Sequence, residues 1–244
     1  MTQPRFIGSF DLMASEIVIN DPALIKQLLK VFRFKINDQF ILGNGQNQER
    51  LVLISQIKPE QIIVKTLAEI KTLPIAKNQV VLFCAVLKKE NFEWVVQKAT
   101  EVGVTTIQPI LTERTVKQNL SLSRLQKIAQ EATEQSGRGQ APVIKSILSL
   151  KSALETVAVN DTAIIFDAAG KPVFEPWRAL QLGQLAPKNQ ARGQFKIFVG
   201  PEGGFSPQEL ELAQKQGLIV YNLGLFTLRA ETAAVVSSYL IVNF

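Results

Sequence analysis

Two glycine-bearing loops near the C-terminus hold the residues best suited to bind a small molecule. Each loop follows a short apolar run: the first is Gly200-Pro201-Glu202-Gly203-Gly204, and the second runs from Leu223 to Glu231. If both runs are parallel strands, both loops open at the same edge of one sheet, where α/β folds place ligands. Glycines let a backbone approach a ligand closely. The pattern predicts a binding site with Arg229 and Glu231 beside it.

Arg229 and Glu231 admit two interpretations. In a functional role, the guanidinium neutralises an anionic nucleophile or a phosphate. In a structural role, Glu231 complements the positive end of a helix dipole and Arg229 is a surface charge. The first loop is likewise either a ligand cradle or a plain strand-to-helix turn. It lacks the three-glycine dinucleotide fingerprint and the Lys-Ser/Thr of a P-loop, which argues against a nucleotide-binding oxidoreductase.

Composition restricts the available chemistry. The 244 residues include no histidine and one cysteine, so the commonest general base and the commonest metal ligand are both missing. We therefore expect no metal site and no Ser-His or Cys-His nucleophile. Cys84 lies inside an apolar run and is predicted to be a small buried hydrophobe. The net charge of +6 permits a polyanionic partner without proving one.

The chain carries no sign of a membrane or secretory segment. It contains no apolar stretch of about 18 uninterrupted residues, the length needed to span a bilayer. Its start lacks a basic segment followed by a long apolar core. We expect a cytoplasmic protein that does not associate with membranes.

The predicted secondary structure that positions these residues changes near residue 75, from short strands to alternating strands and helices. Residues 5 to 70 are predicted to form short strands and one helix, which begins at Asp21-Pro22 and runs toward Phe32. A small β-barrel fits this pattern, with residues 71–77 as a linker. From Gln79 onward, strands alternate with helices, which predicts an α/β domain with a mainly parallel sheet. Ser206-Pro207-Gln208-Glu209 is a capping box that starts a helix just after the first glycine loop.

Several motifs together resemble the ribosomal RNA small subunit methyltransferase E family, which belongs to the SPOUT (trefoil-knot) methyltransferases. Residues 200–206 with Glu209 match its cofactor loop, and residues 223–224 with 228–233 match its knot loop. Residues 98–104 and 134–138 match two internal motifs, and Arg5-Phe6 and Val31-Phe32-Arg33 resemble N-terminal motifs. The resemblance covers essentially the whole chain.

The resemblance implies a fold, a cofactor and a substrate. Residues 1–72 would form a PUA-like RNA-binding β-barrel, and residues 73–244 an α/β methyltransferase domain containing a deep trefoil knot. The protein would be a homodimer that uses S-adenosylmethionine to methylate N3 of uridine 1498 in the 16S rRNA of the small ribosomal subunit. The cofactor-binding residues would be Gly200, Pro201, Glu202, Gly203, Gly204, Leu223, Gly224 and Leu228.

The resemblance also suggests individual roles. Arg229 would stabilise the anion that forms when the uracil imide loses its N3 proton, and Glu231 or water would take that proton. The RNA-binding candidates are Arg5, Arg33, Arg114 and Arg138. Arg138 lies just past a helix, so it is either the partner of that helix dipole or an RNA-facing cation.

The sequence departs from the family pattern at two places. Lys26 and Gln27 stand where the family often has a histidine pair, and Phe226 stands where a second arginine is usual in the knot loop. The lost cation leaves open an alternative function, in which a protein of the same fold binds the cofactor and RNA without catalysis.

Overall fold

The structure is a computed structural model that describes residues 3–116, 119–172 and 194–243. The chain divides into two compact units: Met1–Ile75 with Thr133–Ala141, and Ala76–Ala132 with Pro142–Phe244. The sequence placed the boundary after residue 72 and did not predict that residues 133–141 join the first unit. Within the described ranges, no helix has the length and apolar character needed to cross a membrane.

The first unit is built on one mixed sheet of six strands. They are β1 (Arg5–Ile7), β2 (Glu16–Ile19), β3 (Gln39–Gly43), β4 (Gln48–Lys58), β5 (Gln61–Thr66) and β6 (Lys71–Thr72). The order is β1-β3-β4-β5-β2, with β6 paired to β4. Phe6 of β1 and Ile19 of β2 belong to the same buried core although their strands lie at opposite ends of this order, so the sheet is barrel-like. The prediction of a linker at residues 71–77 was wrong for its first two residues, because Lys71–Thr72 form a strand.

One helical segment packs on this sheet. The α-helix α1 (Pro22–Lys26) begins where the sequence predicted, with the Asp21 carboxylate accepting a hydrogen bond from the Ala23 N–H. A π-helical turn, Gln27–Val31, continues it, so the predicted regular helix toward Phe32 changes its winding halfway. The chain then turns through Arg33, whose φ of 57° is unusual for a residue with a side chain.

The second unit is an α/β domain. Its elements are β7 (Val80–Ala85), α2 (Lys89–Val102), β8 (Thr106–Leu111), α3 (Leu122–Ser136, whose residues 133–136 are counted with the first unit), β9 (Val143–Ile144), β10 (Leu148–Ser149), α4 (Leu150–Glu155), β11 (Thr162–Pro172), β12 (Phe195–Val199), α5 (Pro207–Lys215), β13 (Ile219–Asn222) and α6 (Ala230–Val242). The sheet order is β10-β8-β7-β12-β11-β13, with β9 paired to β8, and every pairing is parallel. The predicted α/β domain with a mainly parallel sheet is confirmed.

Both faces of this sheet are covered, which explains the continuous apolar runs of its strands. Along β7, Leu82 and Cys84 pack into the core on one face, whereas Val81 and Phe83 pack into the core on the other. Cys84 is free and buried, as predicted. Burial, together with the negative charges of Glu202 and Glu231, raises the pKa of its thiol to about 12. The thiol therefore stays protonated and unreactive.

A buried ion pair lies at the opposite ends of these strands from the glycine loops. Lys196 of β12 contacts the Asp161 carboxylate at 2.8 Å and also donates to the Thr156 carbonyl oxygen. Asp161 accepts two further hydrogen bonds, from the N–H groups of Ala158 and Gln194. Burial alone would raise the pKa of Asp161, but these hydrogen bonds outweigh burial and hold that pKa below its ordinary value.

The lowered pKa of Asp161 makes the stability of this domain sensitive to acid. The ion pair contributes stability fully above the ordinary carboxyl pKa of about 3.9, and this contribution is lost as the pH falls through the lower folded-state pKa. In Asp161→Asn that acid-dependent loss should be smaller than in wild type, because no carboxylate remains to be protonated. Urea unfolding between pH 7 and pH 2.5 measures the difference.

The same variant should be destabilised at neutral pH by about 3–5 kcal/mol, because the Lys196 ammonium is left buried without its counter-ion. Glu211→Gln, which removes an exposed pair with Lys215, serves as the control and should leave both the stability and its pH dependence nearly unchanged. Identical pH curves for wild type and Asp161→Asn would contradict the assignment.

Candidate functional site

The two glycine loops line a single cavity of about 810 Å³ at the carboxyl ends of β11, β12 and β13. Because the strands that precede the two loops are parallel, both loops open at the same edge of the sheet, as the sequence pattern predicted. The volume lies within the range typical of small-molecule sites, roughly 300–1,000 Å³. The lining residues are Arg114, Phe166, Asp167, Ala168, Pro172, Val199, Gly200, Pro201, Glu202, Gly203, Gly204, Phe205, Asn222, Leu223, Gly224, Leu225, Phe226, Thr227, Leu228, Arg229, Ala230 and Ala233.

The first loop follows β12 and has little room for side chains. A Cβ atom on Gly200 would lie 3.1 Å from the Phe205 ring, so a side chain there would push against that ring. Gly204 has a φ of 67°, which glycine adopts without strain. The Phe205 N–H donates to the Asp167 carboxylate at 3.3 Å, and this bond ties the loop to the end of the apolar run of β11. The first loop therefore lines the cavity largely with main-chain atoms, and these contacts fix its conformation.

Glu209 joins the first loop to the segment that follows β8. One carboxylate oxygen accepts from the Ser206 N–H at 2.9 Å and completes the predicted capping box of α5. The other oxygen accepts from the Glu113 N–H at 2.8 Å. Beside this link, the Arg114 guanidinium donates to the Gly203 carbonyl oxygen at 2.7 Å. Both contacts hold the segment after β8 against the first loop.

Removing the Glu209 carboxylate should loosen this corner of the cavity. Glu209→Ala leaves two backbone N–H groups without their acceptor, so we expect a loss of about 1–3 kcal/mol in the free energy of unfolding. Urea denaturation measures the loss. Gln208→Ala, at the exposed neighbouring position of the same helix turn, is the matched control and should stay within about 0.5 kcal/mol of wild type. Equal stability of the two variants would show that the double contact contributes nothing.

The second loop follows β13 and is anchored at its base. The Asn222 side chain donates to the Gly170 carbonyl oxygen at 2.7 Å and accepts from the Gly224 N–H at 3.3 Å. Gly224 has a φ of 138°, which only glycine adopts readily. Beyond this base the loop carries Leu225 and Phe226, whose exposed fractions are 99% and 84%. The loop therefore has a fixed root and an apolar tip open to solvent.

Arg229 and Glu231 occupy different positions relative to the cavity. Arg229 is the N-cap residue of α6, is exposed and lines the cavity, and its guanidinium forms no ion pair with any residue that the structure describes. Glu231 lies in the first turn of α6, where a negative charge stabilises the helix. It does not line the cavity. Its Oε2 atom is buried and has no hydrogen-bond partner within the described part of the chain.

The other predicted ligand-binding residues are brought together. All eight proposed cofactor-binding positions line the cavity, and so does Arg114, which the sequence analysis assigned to RNA. Asp167 was missed, although it ends the apolar run Thr162–Phe166 at the carboxyl edge of the sheet, where side chains commonly face ligands. The lining carries two cations, Arg114 and Arg229, and two carboxylates, Asp167 and Glu202, and the described residues include no metal-binding cluster.

The remaining arginine candidates lie in the first unit. Arg5 donates to the Glu49 carboxylate at 2.7 Å, so its charge is already compensated within the protein. Arg138 is half-buried, and burial lowers its pKa to about 10, which still leaves it charged at neutral pH. Arg33 is exposed on the turn after the π-helical segment. Of these three arginines, Arg33 offers the most accessible charge.

Comparison with known proteins matches both the fold and the cavity-bearing domain. Residues 74–242 match the model of the RNA methyltransferase domain family. A ribosomal RNA small subunit methyltransferase E from Rickettsia conorii is 32% identical over 206 residues, covering 84% of this chain and 80% of its own length. Its counterpart from Mesomycoplasma hyopneumoniae is 33% identical, covering 85% and 86%.

A crystal structure of a ribosomal RNA small subunit methyltransferase E from Neisseria gonorrhoeae bound to S-adenosyl methionine superimposes with a TM-score of 0.82. It is 28% identical and the match covers 97% of this chain and 95% of that one. The sequence resemblance is therefore confirmed by the family match, by the relatives and by the fold. The chain belongs to the RNA methyltransferase domain family, and within it to the ribosomal RNA small subunit methyltransferase E family.

Proposed function

We propose that this protein transfers a methyl group from S-adenosylmethionine to N3 of one uridine, at position 1498, in the 16S rRNA of the small ribosomal subunit. The observation that carries the proposal is the cavity lined by both glycine loops, with the charge of Arg229, which no described residue pairs, beside it. The membership of the family and the S-adenosyl methionine bound to the Neisseria relative support the choice of cofactor.

The cavity suits S-adenosylmethionine in shape and chemistry. A nucleoside needs close approach to main-chain groups, and the first loop supplies them where Gly203 and Gly204 carry no side chain. Apolar side chains such as Leu223 and Leu228 offer contact to a flat base. The carboxylates of Asp167 and Glu202, which line the cavity, would compensate the positive charges that the cofactor carries on its sulfur and amino group. The residues present therefore fit the group.

In the proposed reaction, the chain positions the partners and stabilises charge. S-adenosylmethionine supplies, when bound, a methyl group on a positively charged sulfur, which is already a strong electrophile. The loops would hold this methyl group in line with N3 of a uracil that is unpaired or turned out of its helix, because N3 is hidden by base pairing. N3 loses its proton and gains the methyl group.

Arg229 would stabilise the negative charge that spreads over the uracil imide when the proton leaves. We assign the acceptance of that proton to Glu231, reached through a water molecule because its carboxylate does not line the cavity, or to water itself. The sequence contains no histidine that could accept the proton instead.

The proposal assigns the first unit to RNA. Its barrel-like sheet would be a PUA-like domain, with the exposed Arg33 and the Arg5 and Arg138 side chains near bound phosphates. We also propose a deep trefoil knot within residues 73–244, a cytoplasmic location and a homodimer. Helix α6 carries three partly exposed apolar side chains, those of Val235, Val236 and Leu240. They favour α6 as the dimer interface, although they also pack within the domain.

Methyl transfer to isolated small subunits tests the proposal. Small subunits lacking the modification are incubated with the protein and radiolabelled S-adenosylmethionine, and nucleosides from the rRNA are separated by mass spectrometry. We expect 3-methyluridine as the only new nucleoside. A different labelled nucleoside would overturn the assignment of N3. Cofactor binding without any label in RNA would replace it by the alternative, an RNA-binding protein without catalysis.

A further inference from the structure

The tip of the second loop exposes two large apolar side chains beside the cavity. Phe226 is 84% exposed and Leu225 is 99% exposed, yet both lie among the residues that line the cavity. A large apolar side chain fully open to water gains nothing from the fold of its own chain. The loop is anchored at its base by the hydrogen bonds of Asn222 with Gly170 and Gly224, and its tip lies at the rim of the cavity.

We propose that Phe226 is a stacking platform for an unpaired nucleobase of the RNA substrate and thereby helps to select it. This inference rests on the proposed function and goes beyond it by naming how the substrate is held. Proteins recognise splayed-out RNA bases by stacking them on aromatic rings, and the flat face of every base suits such a contact. Leu225 lacks a flat ring, so the proposal concerns Phe226 alone.

The charges around the tip favour RNA as the occupant. Arg229 lies three residues after Phe226 and forms no ion pair with the described residues, and Arg114 is a second exposed cation that lines the same cavity. A base stacked on Phe226 would bring its phosphates within reach of these guanidinium groups. A second copy of this chain would bring the same cations together, which makes it the less favoured occupant of the tip.

Steady-state methyl transfer to small subunits tests the role of Phe226. In Phe226→Ala we expect the KM for the small subunit to rise about five- to 150-fold, the range that corresponds to the loss of one stacked base. The Kd for S-adenosylmethionine, measured by calorimetry, should stay within twofold of wild type. Phe226→Trp should restore the KM, because it keeps a flat aromatic face, whereas Leu225→Ala should raise the KM less than Phe226→Ala does, because leucine has no flat ring. Val159→Ala removes an exposed apolar side chain outside the cavity lining and serves as the control that should behave like wild type.

Each outcome decides the inference. If the KM is unchanged in Phe226→Ala, or rises equally in Leu225→Ala, the stacking role is wrong. Methyl transfer by the wild-type protein in the same experiment would still support the proposed function. If wild type itself transfers no methyl group, the proposed function fails, and direct binding of the variants to RNA then tests Phe226 independently. If Phe226→Ala instead lowers the molecular mass measured by sedimentation, a second copy of the chain covers the tip and the inference is wrong.

Discussion

Replacement of Arg229 by alanine should lower kcat for methyl transfer at least a hundredfold while leaving the Kd for S-adenosylmethionine within about tenfold, or roughly 1.4 kcal/mol. The guanidinium lines the cavity and is free of any ion pair with the described residues, so its charge is available to the substrate. A charge that develops only as the imide loses its proton is stabilised in the transition state more than in the ground state. The loss should therefore fall on kcat.

The pH dependence sharpens this experiment. Without Arg229 the deprotonated imide loses its nearby positive charge, so the activity of Arg229→Ala should recover in part as the pH rises and the imide ionises without help. Arg229→Lys keeps one charge without the planar fork and should retain intermediate activity. Arg124→Ala, which removes an arginine paired with Glu93 on the surface, is the control and should leave kcat unchanged. Turnover near the wild-type value in Arg229→Ala would remove this residue from the mechanism.

Replacement of Gly203 by valine should weaken cofactor binding at least a hundredfold without unfolding the domain. Gly203 is the cleanest of the loop glycines to change, because its φ is not positive and a Cβ atom there lies at an ordinary contact distance of 3.4 Å from Arg114. Valine at Gly204 or Gly200 would be harder to interpret, because a side chain at Gly204 would be strained by the φ of 67° and a side chain at Gly200 would press on Phe205. A branched side chain at Gly203 displaces Arg114 and occupies the cavity edge.

Calorimetric titration with S-adenosylmethionine and a thermal unfolding curve together check this prediction. The unfolding midpoint should stay close to that of wild type while the Kd rises, and Gly203→Ala should fall between the two because its side chain is smaller. An unchanged Kd in Gly203→Val would mean that the loop is only a turn. If Gly203→Val did not fold, its thermal unfolding curve would show this, and the Kd of Gly203→Ala for S-adenosylmethionine would then test the prediction.

The second unit was predictable because its signals are local. The capping box at Ser206 and Glu209, and the left-handed glycine at Gly103 that ends α2, each specify a helix boundary by short-range hydrogen bonds. The alternation of buried strands and helices then leaves a parallel sheet as the natural arrangement. Once the sheet is parallel, the meeting of the two glycine loops at one edge follows from strand direction.

Other features depended on contacts between distant residues, which no local pattern reveals. Lys71–Thr72 is a strand because β4 lies beside it, although the two residues have no strand signal of their own. Glu134 joins the first unit through its bond from the Ile7 N–H, far away in the chain. The sequence likewise could not tell that Glu231 lies outside the cavity lining while Arg229 lies within it, since both begin the same helix.

The pairing of β7 with β12 has a consequence for biosynthesis. Val80 pairs in register with Phe195, so one edge of β7 is covered by β8, which follows soon in the chain, whereas its other edge waits for β12, which is made much later. A growing chain therefore carries an apolar, half-open β7 through most of its translation, and such pairings are slow because a long loop must close first. Chains that stop before β12 should aggregate, because one edge of the apolar β7 then stays unpaired.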